Sequence, residues 1–238
     1  EVLSEWGLKW LVNFNATKTK YMLFSRRKSP KYDCPIIFQN VQIERVHTHK
    51  HLGIFFSENM MWDAHVNHLK SKAATRTNIL VSLQYNHPRP CLENIYKSMI
   101  RPILEYGDVV FDNLSKGLSL ELESVQRRAA VACSGAYKHT KHQLLLAEIG
   151  WDLLIKRRKC HRLTLLYKIV NNLTQPYVKR LIPETPASRS NYSLRNTSDL
   201  TLPLCKTEMT RRFFVCKTIH EWNLLDHDTK YSPTLSLF

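Results

Sequence analysis

The chain has 238 residues, 43% of them hydrophobic and 10% aromatic, enough for a packed core and against wholesale disorder. Thirty-five Lys and Arg outweigh twenty Asp and Glu, a formal charge of +15 that favours a polyanionic partner. No apolar run approaches the roughly 18 residues of a membrane-crossing helix, and the six cysteines lack zinc-knuckle or zinc-ribbon spacing.

Taken in chain order, Val2, Trp6, Trp10 and Leu11 recur at helical spacing and predict an amphipathic helix over 1–14. Residues 20–27, 36–46 and 50–57 are short and β-rich, and predict one small antiparallel sheet. Gln39–Asn40 reads as a hairpin turn, because Asn tolerates positive φ. The Pro- and Lys-rich loop 26–35 would lie on the sheet's edge.

From Trp62 the pattern turns helical. Trp62, Val66, Leu69, Ala73, Leu80 and Leu83 share one face. A second helix opens after Pro88–Pro90 and is expected to stop at Arg101–Pro102, where proline removes a donor. Leu118, Leu122, Val125, Ala129 and Ala132 predict a third. A short helix starts at Thr140, which can form a capping box with Gln143, and closes at Gly150. Residues 151–173 form the longest basic helix, with Leu163, Leu166, Val170 and Leu173 as its expected buried stripe. Residues 183–207 read as linker, and a last helix spans 210–225, with Arg211 and Arg212 exposed and Phe213, Phe214, Ile219 and Trp222 buried. The fold class expected is α+β, mostly α.

Charge is unevenly placed. Residues 1–57 carry +5, residues 58–113 are neutral, residues 114–182 carry +9 and residues 183–238 carry +1. Two basic zones around a neutral one suit a long nucleic-acid track. The sharpest feature is KRRKCHR, Lys156–Arg162, read as cations around a solvent face that neutralise phosphates without reading bases. The same run also fits a nuclear-localisation signal or an ordinary solvated helix face. Cys205, Cys216 and His220 make only a loose cluster, so no metal site is expected. Reduced thiols and the lack of a visible signal peptide point to an intracellular protein, in cytoplasm or nucleus.

Several strings together resemble the reverse transcriptases of non-LTR (LINE-type, jockey-like) retrotransposons. These are NATKT (15–19), KHLGIFFS (50–57), IRPILEYGDVVFDN (100–113), LESVQRRAA (122–130), EIGWDLLIKRR (148–158), YKIVNN (167–172), NYSLRN (191–196) and EWN (221–223). The resemblance implies an RNA-directed DNA polymerase, of which this chain would hold a palm remnant with primer-grip-like strands (1–57) and a helical thumb-like domain (58–182). A linker (183–209) and a C-terminal helical segment (210–238) would follow.

The family's Ala-Asp-Asp signature does not occur in the chain. The only close acidic pairs are Glu121/Glu123 and Asp226/Asp228, and neither falls on a strand hairpin. The chain is therefore expected to be an inactive fragment with no catalytic residue and no metal of its own, Mg²⁺ belonging to the complete enzyme. Lys18 would remain as a phosphate-side cation of the N-x-x-K-T element. Lys50, His51, Leu52, Gly53 and Ile54 would form the primer grip, with Gly53 allowing close backbone approach and Leu52 and Ile54 anchoring the sheet. Arg101, Arg127, Arg128, Lys156, Arg157, Arg158, Lys159 and Arg162 would contact phosphates, with Glu105 and Asp108 pairing with basic neighbours. The expected partners are RNA and DNA without sequence preference, and the remaining palm and fingers. The alternatives are a domesticated protein-interaction module and a pseudogene product without function.

Overall fold

The computed structural model describes residues 2–25, 35–183, 199–235 and 238. It divides into two compact units, Glu1–His68 and Leu69–Phe238.

The first unit opens with α1 (Val2–Trp10), which ends where the chain turns back. A Cβ on Gly7 would come within 2.8 Å of the Val12 carbonyl oxygen and 3.1 Å of the Phe14 ring, so glycine is what lets the returning strand approach. Among the described residues six short strands follow: β1 (Lys20–Tyr21), β2 (Ile37–Phe38), β3 (Val41–Gln42), β4 (Glu44–Arg45), β5 (Thr48–His51) and β6 (Ile54–Ser57). The single antiparallel sheet expected is replaced by three pairings: β2 with β3 and β5 with β6 antiparallel, β1 with β4 parallel. Tight local turns cause this, because β2–β3 and β5–β6 each close as a hairpin and leave β4 to pair elsewhere. Gln39 and Asn40 both have positive φ (50° and 60°), as a two-residue hairpin turn requires. Most of loop 26–35 lies outside the described residues.

Helix α2 (Asp63–Leu83) begins in the first unit and continues into the second. Val66, Leu69, Ala73, Thr77 and Leu80 form its buried stripe, and the Thr77 hydroxyl is satisfied by the Ala73 carbonyl at 2.9 Å. In the second unit α3 (Arg89–Ile95) passes through a π-helical turn, Tyr96–Ile100, into α4 (Arg101–Glu105). The predicted stop at Pro102 does not occur. Pro102 sits in the first turn of α4, where its missing N–H costs no helical bond, and the widened turn lets Arg101 N–H bond Tyr96. Gly107 then takes φ 67° and starts α5 (Asp108–Phe111).

Helix α6 (Lys116–Ser134) is capped by the Ser115 hydroxyl, which accepts from Leu118 N–H, and ends at left-handed Gly135. Helix α7 (His142–Ile149) begins at Lys141 and ends at Gly150 as expected. Thr140 is not its cap; the Thr140 carbonyl instead accepts from Arg127. Ala130, Leu145, Leu146 and Ile149 bury one core between α6 and α7.

Helix α8 (Leu154–Val170) is the centre of the second unit. After α9 (Pro176–Lys179), the described chain resumes at Asp199 and enters α10 (Glu208–Arg212), α11 (Phe214–Asn223) and α12 (His227–Lys230). The expected single helix over 210–225 is broken at Phe213, whose ψ of 153° is extended. Phe213 is consequently exposed, whereas Ile219 and Trp222 are buried with Leu163, Leu166, Tyr167 and Leu200. Val170 and Leu173, expected in the buried stripe of α8, are exposed. Among the described residues no helix is long and apolar enough to cross a membrane.

Candidate nucleic-acid interface

NATKT folds on its own polar atoms. The Asn15 side-chain oxygen accepts from the Thr17 hydroxyl (2.6 Å) and Lys18 N–H (3.1 Å), while its carbonyl accepts from the Thr19 hydroxyl at 2.8 Å. This Asx turn leaves Lys18 exposed. KHLGIFFS is the β5–β6 hairpin, with Leu52 and Gly53 as its two-residue turn at φ 46° and 87°. Leu52 therefore does not anchor the sheet: it stands 77% exposed at the tip, because both turn residues project away from the strands. Ile54 is buried. Lys50 and His51 are exposed on β5, with Lys50 Nζ 5.5 Å from the Phe55 ring centroid. Phe55 N–H donates to Nδ1 of buried His65 at 3.4 Å, tying the hairpin to α2. Burial, and then the neighbouring His68, push the His65 pKa down to about 4, so its ring is neutral and able to accept.

The run Lys156–Arg162 divides sharply. Lys156 and Lys159 are exposed, and Lys156 reaches back to Asp152 at 2.7 Å. Arg158 and Arg162 are only 2% exposed, which corrects the expectation that the run surrounds a solvent face. Asp112 holds them both: its Oδ1 accepts from Arg158 Nε at 3.1 Å, and its Oδ2 lies 2.7 Å from Arg162 Nε and 2.5 Å from Lys217 Nζ. Arg158 also donates to the Ser119 hydroxyl (2.7 Å), and Arg162 makes a two-oxygen contact with Glu221 at 3.0 and 3.2 Å. Arg157 forks onto Glu105, and that carboxylate raises the guanidinium pKa. Arg101 lies 3.8 Å from the same Glu105. His161 Nδ1 lies 2.6 Å from Asp108, whose burial nonetheless raises its carboxyl pKa. The expected pairing of Glu105 and Asp108 with basic neighbours is present.

Sequence reasoning missed Asp112, Glu221 and Lys217. A signal existed for the buried arginines: Arg158 and Arg162 follow Leu154 and precede Leu166 at intervals of four, in register with the apolar face. Their acids supply another, since Asp108 and Asp112 share that spacing.

Arg127 is turned inward, donating to the carbonyls of Lys138 (2.6 Å) and Thr140 (2.9 Å), and so ties the basic loop 136–141 onto α6. Arg128, Lys138 and Lys141 stay exposed. Tyr96 stacks on Trp151 with centroids 3.9 Å apart, and its hydroxyl meets Gln126 at 3.0 Å. Asn223 accepts from Leu200 N–H (3.0 Å) and donates to its carbonyl (2.9 Å). IRPILEYGDVVFDN, LESVQRRAA and EIGWDLLIKRR thus meet through Arg157–Glu105, Arg158–Asp112, Ile155–Glu123 and Gln126–Asp152, whereas Glu221 and Asn223 of EWN pair with Arg162 and Leu200.

The chain is 26% identical over 187 residues to the RNA-directed DNA polymerase from mobile element jockey of Drosophila melanogaster, covering 76% of this chain and 19% of the relative. This chain resembles a non-LTR retrotransposon reverse transcriptase. The jockey polymerase of Drosophila funebris matches at 24% over 170 residues, covering 68% of this chain and 18% of the relative. The probable RNA-directed DNA polymerase from transposon X-element of Drosophila melanogaster matches at 21% over 136 residues, covering 56% and 15%. The chain spans less than a fifth of the length of these curated relatives. No family model matches it, and no solved structure does.

Among the described residues the close acidic pairs do not gather as a divalent-cation site requires. Glu121 pairs with Lys70 (3.1 Å), Glu123 accepts from Ile155 N–H (3.1 Å), and Asp226 caps α12 through Thr229. Among the described residues no three His, Cys, Asp or Glu side chains converge on a metal-sized gap.

Proposed function

We propose that this chain is a thumb-side portion of a non-LTR reverse transcriptase that grips RNA and DNA by the phosphate backbone, without sequence preference and without itself transferring nucleotides. One observation carries the reading. In the charged layer around α8, four cations (Arg157, Arg158, Arg162 and Lys217) meet three carboxylates (Glu105, Asp112 and Glu221), and a fourth carboxylate, Asp108, pairs with His161. That layer is close to neutral, so the whole surplus of +15 resides outside it.

Lys156, Lys159, Arg128, Lys138 and Lys141 in the second unit, and Lys18, Lys50 and His51 in the first, present exposed polar groups to a polyanion. The Leu52–Gly53 tip supports a primer-grip role, because Gly53 lacks the Cβ that would hinder a close backbone approach and the positive φ of Leu52 is strain of the kind kept at functional sites. Arg157, Arg158 and Arg162 are left with a structural role, and the partners include the remainder of the polymerase.

The test is fluorescence anisotropy with a labelled RNA/DNA hybrid across a KCl series. Log affinity should fall linearly with log salt, and Lys156→Ala with Lys159→Ala should reduce the slope by about 1–2. An unchanged slope refutes the assignment. Primer extension with Mg²⁺ should give no product, and a template-dependent ladder would overturn the non-catalytic part.

A second reading, a face for a protein partner, is favoured by α1, which leaves Val2, Leu3, Leu8 and Trp10 exposed. It predicts association that barely responds to salt.

A further inference from the structure

Cys205 and Cys216 come from separate elements, the extended segment before α10 and the first turn of α11, yet their sulfurs lie 2.8 Å apart. Both are thiols. About 0.8 Å of further approach would reach a disulfide bond length of about 2.05 Å. We propose that this pair is a reversible oxidation site, closed by a small-molecule disulfide of the oxidised-glutathione class.

Three observations converge on it. The segment carrying Cys205 is fixed on both sides: Asn223 holds Leu200 through two hydrogen bonds, and Thr207 caps α10 by accepting from Thr210 N–H at 3.2 Å. Its sulfur is further oriented by the Pro203 carbonyl at 3.2 Å. Little backbone freedom is therefore left to lose when the bond forms.

The pair also lines a cleft of about 590 Å³ whose wall includes Arg211, Lys217 and His220, with Glu221 as its acid. Lys217 is already paired with Asp112, so Arg211 is the wall's exposed cation that suits an anionic peptide disulfide. Finally, the two thiols are unequal. Cys205 is half-buried, whereas Cys216 is 9% exposed and its pKa is pushed up to about 11 by burial and by its contact with Cys205.

The order of events follows. Cys205 Sγ, its proton lost to water, attacks one sulfur of the oxidised tripeptide, and one thiolate leaves with the electron pair. Cys216 Sγ, deprotonated in turn, then displaces the second, forming the Cys205–Cys216 bond. One disulfide is consumed and one made, with two small thiols released. Oxidation would pin the wall of the cleft to α11, and reduction would release it.

The experiment treats the whole chain with oxidised and reduced glutathione at set ratios, blocks remaining thiols with N-ethylmaleimide and maps tryptic peptides. The expected product is the peptide ending at Lys206 joined to Phe213–Lys217, with Cys34, Cys91, Cys133 and Cys160 alkylated. Thermal melts of the oxidised wild type should rise by roughly 5–10 °C. Cys216→Ser should instead trap glutathione on Cys205 and show no such rise. Pairing of Cys205 with any other cysteine, full alkylation of both under oxidising ratios, or oxidation that leaves the melt unmoved would each overturn the proposal.

Discussion

Replacing Asp112 with Asn tests whether the α8 layer is held by one carboxylate. Asp112 is 7% exposed and serves Arg158, Arg162 and Lys217. Arg162 would keep Glu221 and Thr218, and Lys217 is part-exposed, so the loss falls on Arg158. Arg158 would keep Ser119 and a neutral amide oxygen but lose its hydrogen-bonded carboxylate, and its Nη1 is buried without a hydrogen-bond partner among the described residues. Stranding one buried charge costs about 3–5 kcal/mol. For a unit of this size that is a fall in Tm of roughly 10 °C. Urea unfolding followed by far-UV circular dichroism reads it directly. Pairing Asp112→Asn with Arg158→Met should recover about 2 kcal/mol, because an apolar side chain removes the stranded charge. A loss below about 1 kcal/mol, the value of an exposed ion pair, with no recovery in the double variant, would refute the reasoning.

Three other outcomes can be measured the same way. His65 has a folded pKa of about 4, below its ordinary value of 6.5. Its contribution is therefore complete above pH 6.5 and lost as pH falls towards 4, by up to about 3 kcal/mol; a stability gap between wild type and His65→Gln that stays constant from pH 7 to pH 4 would contradict it. Leu52→Asn should stabilise the β5–β6 hairpin by about 1 kcal/mol, since asparagine tolerates a φ of 46° better than leucine, and a lower melting temperature would refute this. Trp222→Ala should cost about 3–5 kcal/mol from the core it shares with Leu166 and Ile219, and a cost under 1 kcal/mol would show that core to be misassigned.

Local signals carried much of the fold. The Gln39–Asn40 turn, the α2 stripe and the Gly150 terminus were legible because each depends on residues within a turn or two of chain. The α+β, mostly α class followed from them, and the pairing of Glu105 and Asp108 with cations was also legible. Pro102 misled because a π-helical turn lets the backbone pass a proline without an orphaned bond. The break at Phe213 has no local marker. The candidate site was the least legible part, since a run of cations looks solvent-facing until its acids are located. Those acids lie 46 residues before Arg158 and 59 after Arg162, beyond any window of periodicity.

Such separations bear on how the second unit is born. A chain leaving the ribosome exposes the α8 arginines after Asp112 but well before Glu221 and Lys217 have been made. Arg162 must wait for its second acid, and full closure around α8 is delayed until Lys217 and Glu221 emerge. Synthesis that stops between Arg162 and Glu221 should release a sticky, half-closed intermediate, a ready target for chaperones.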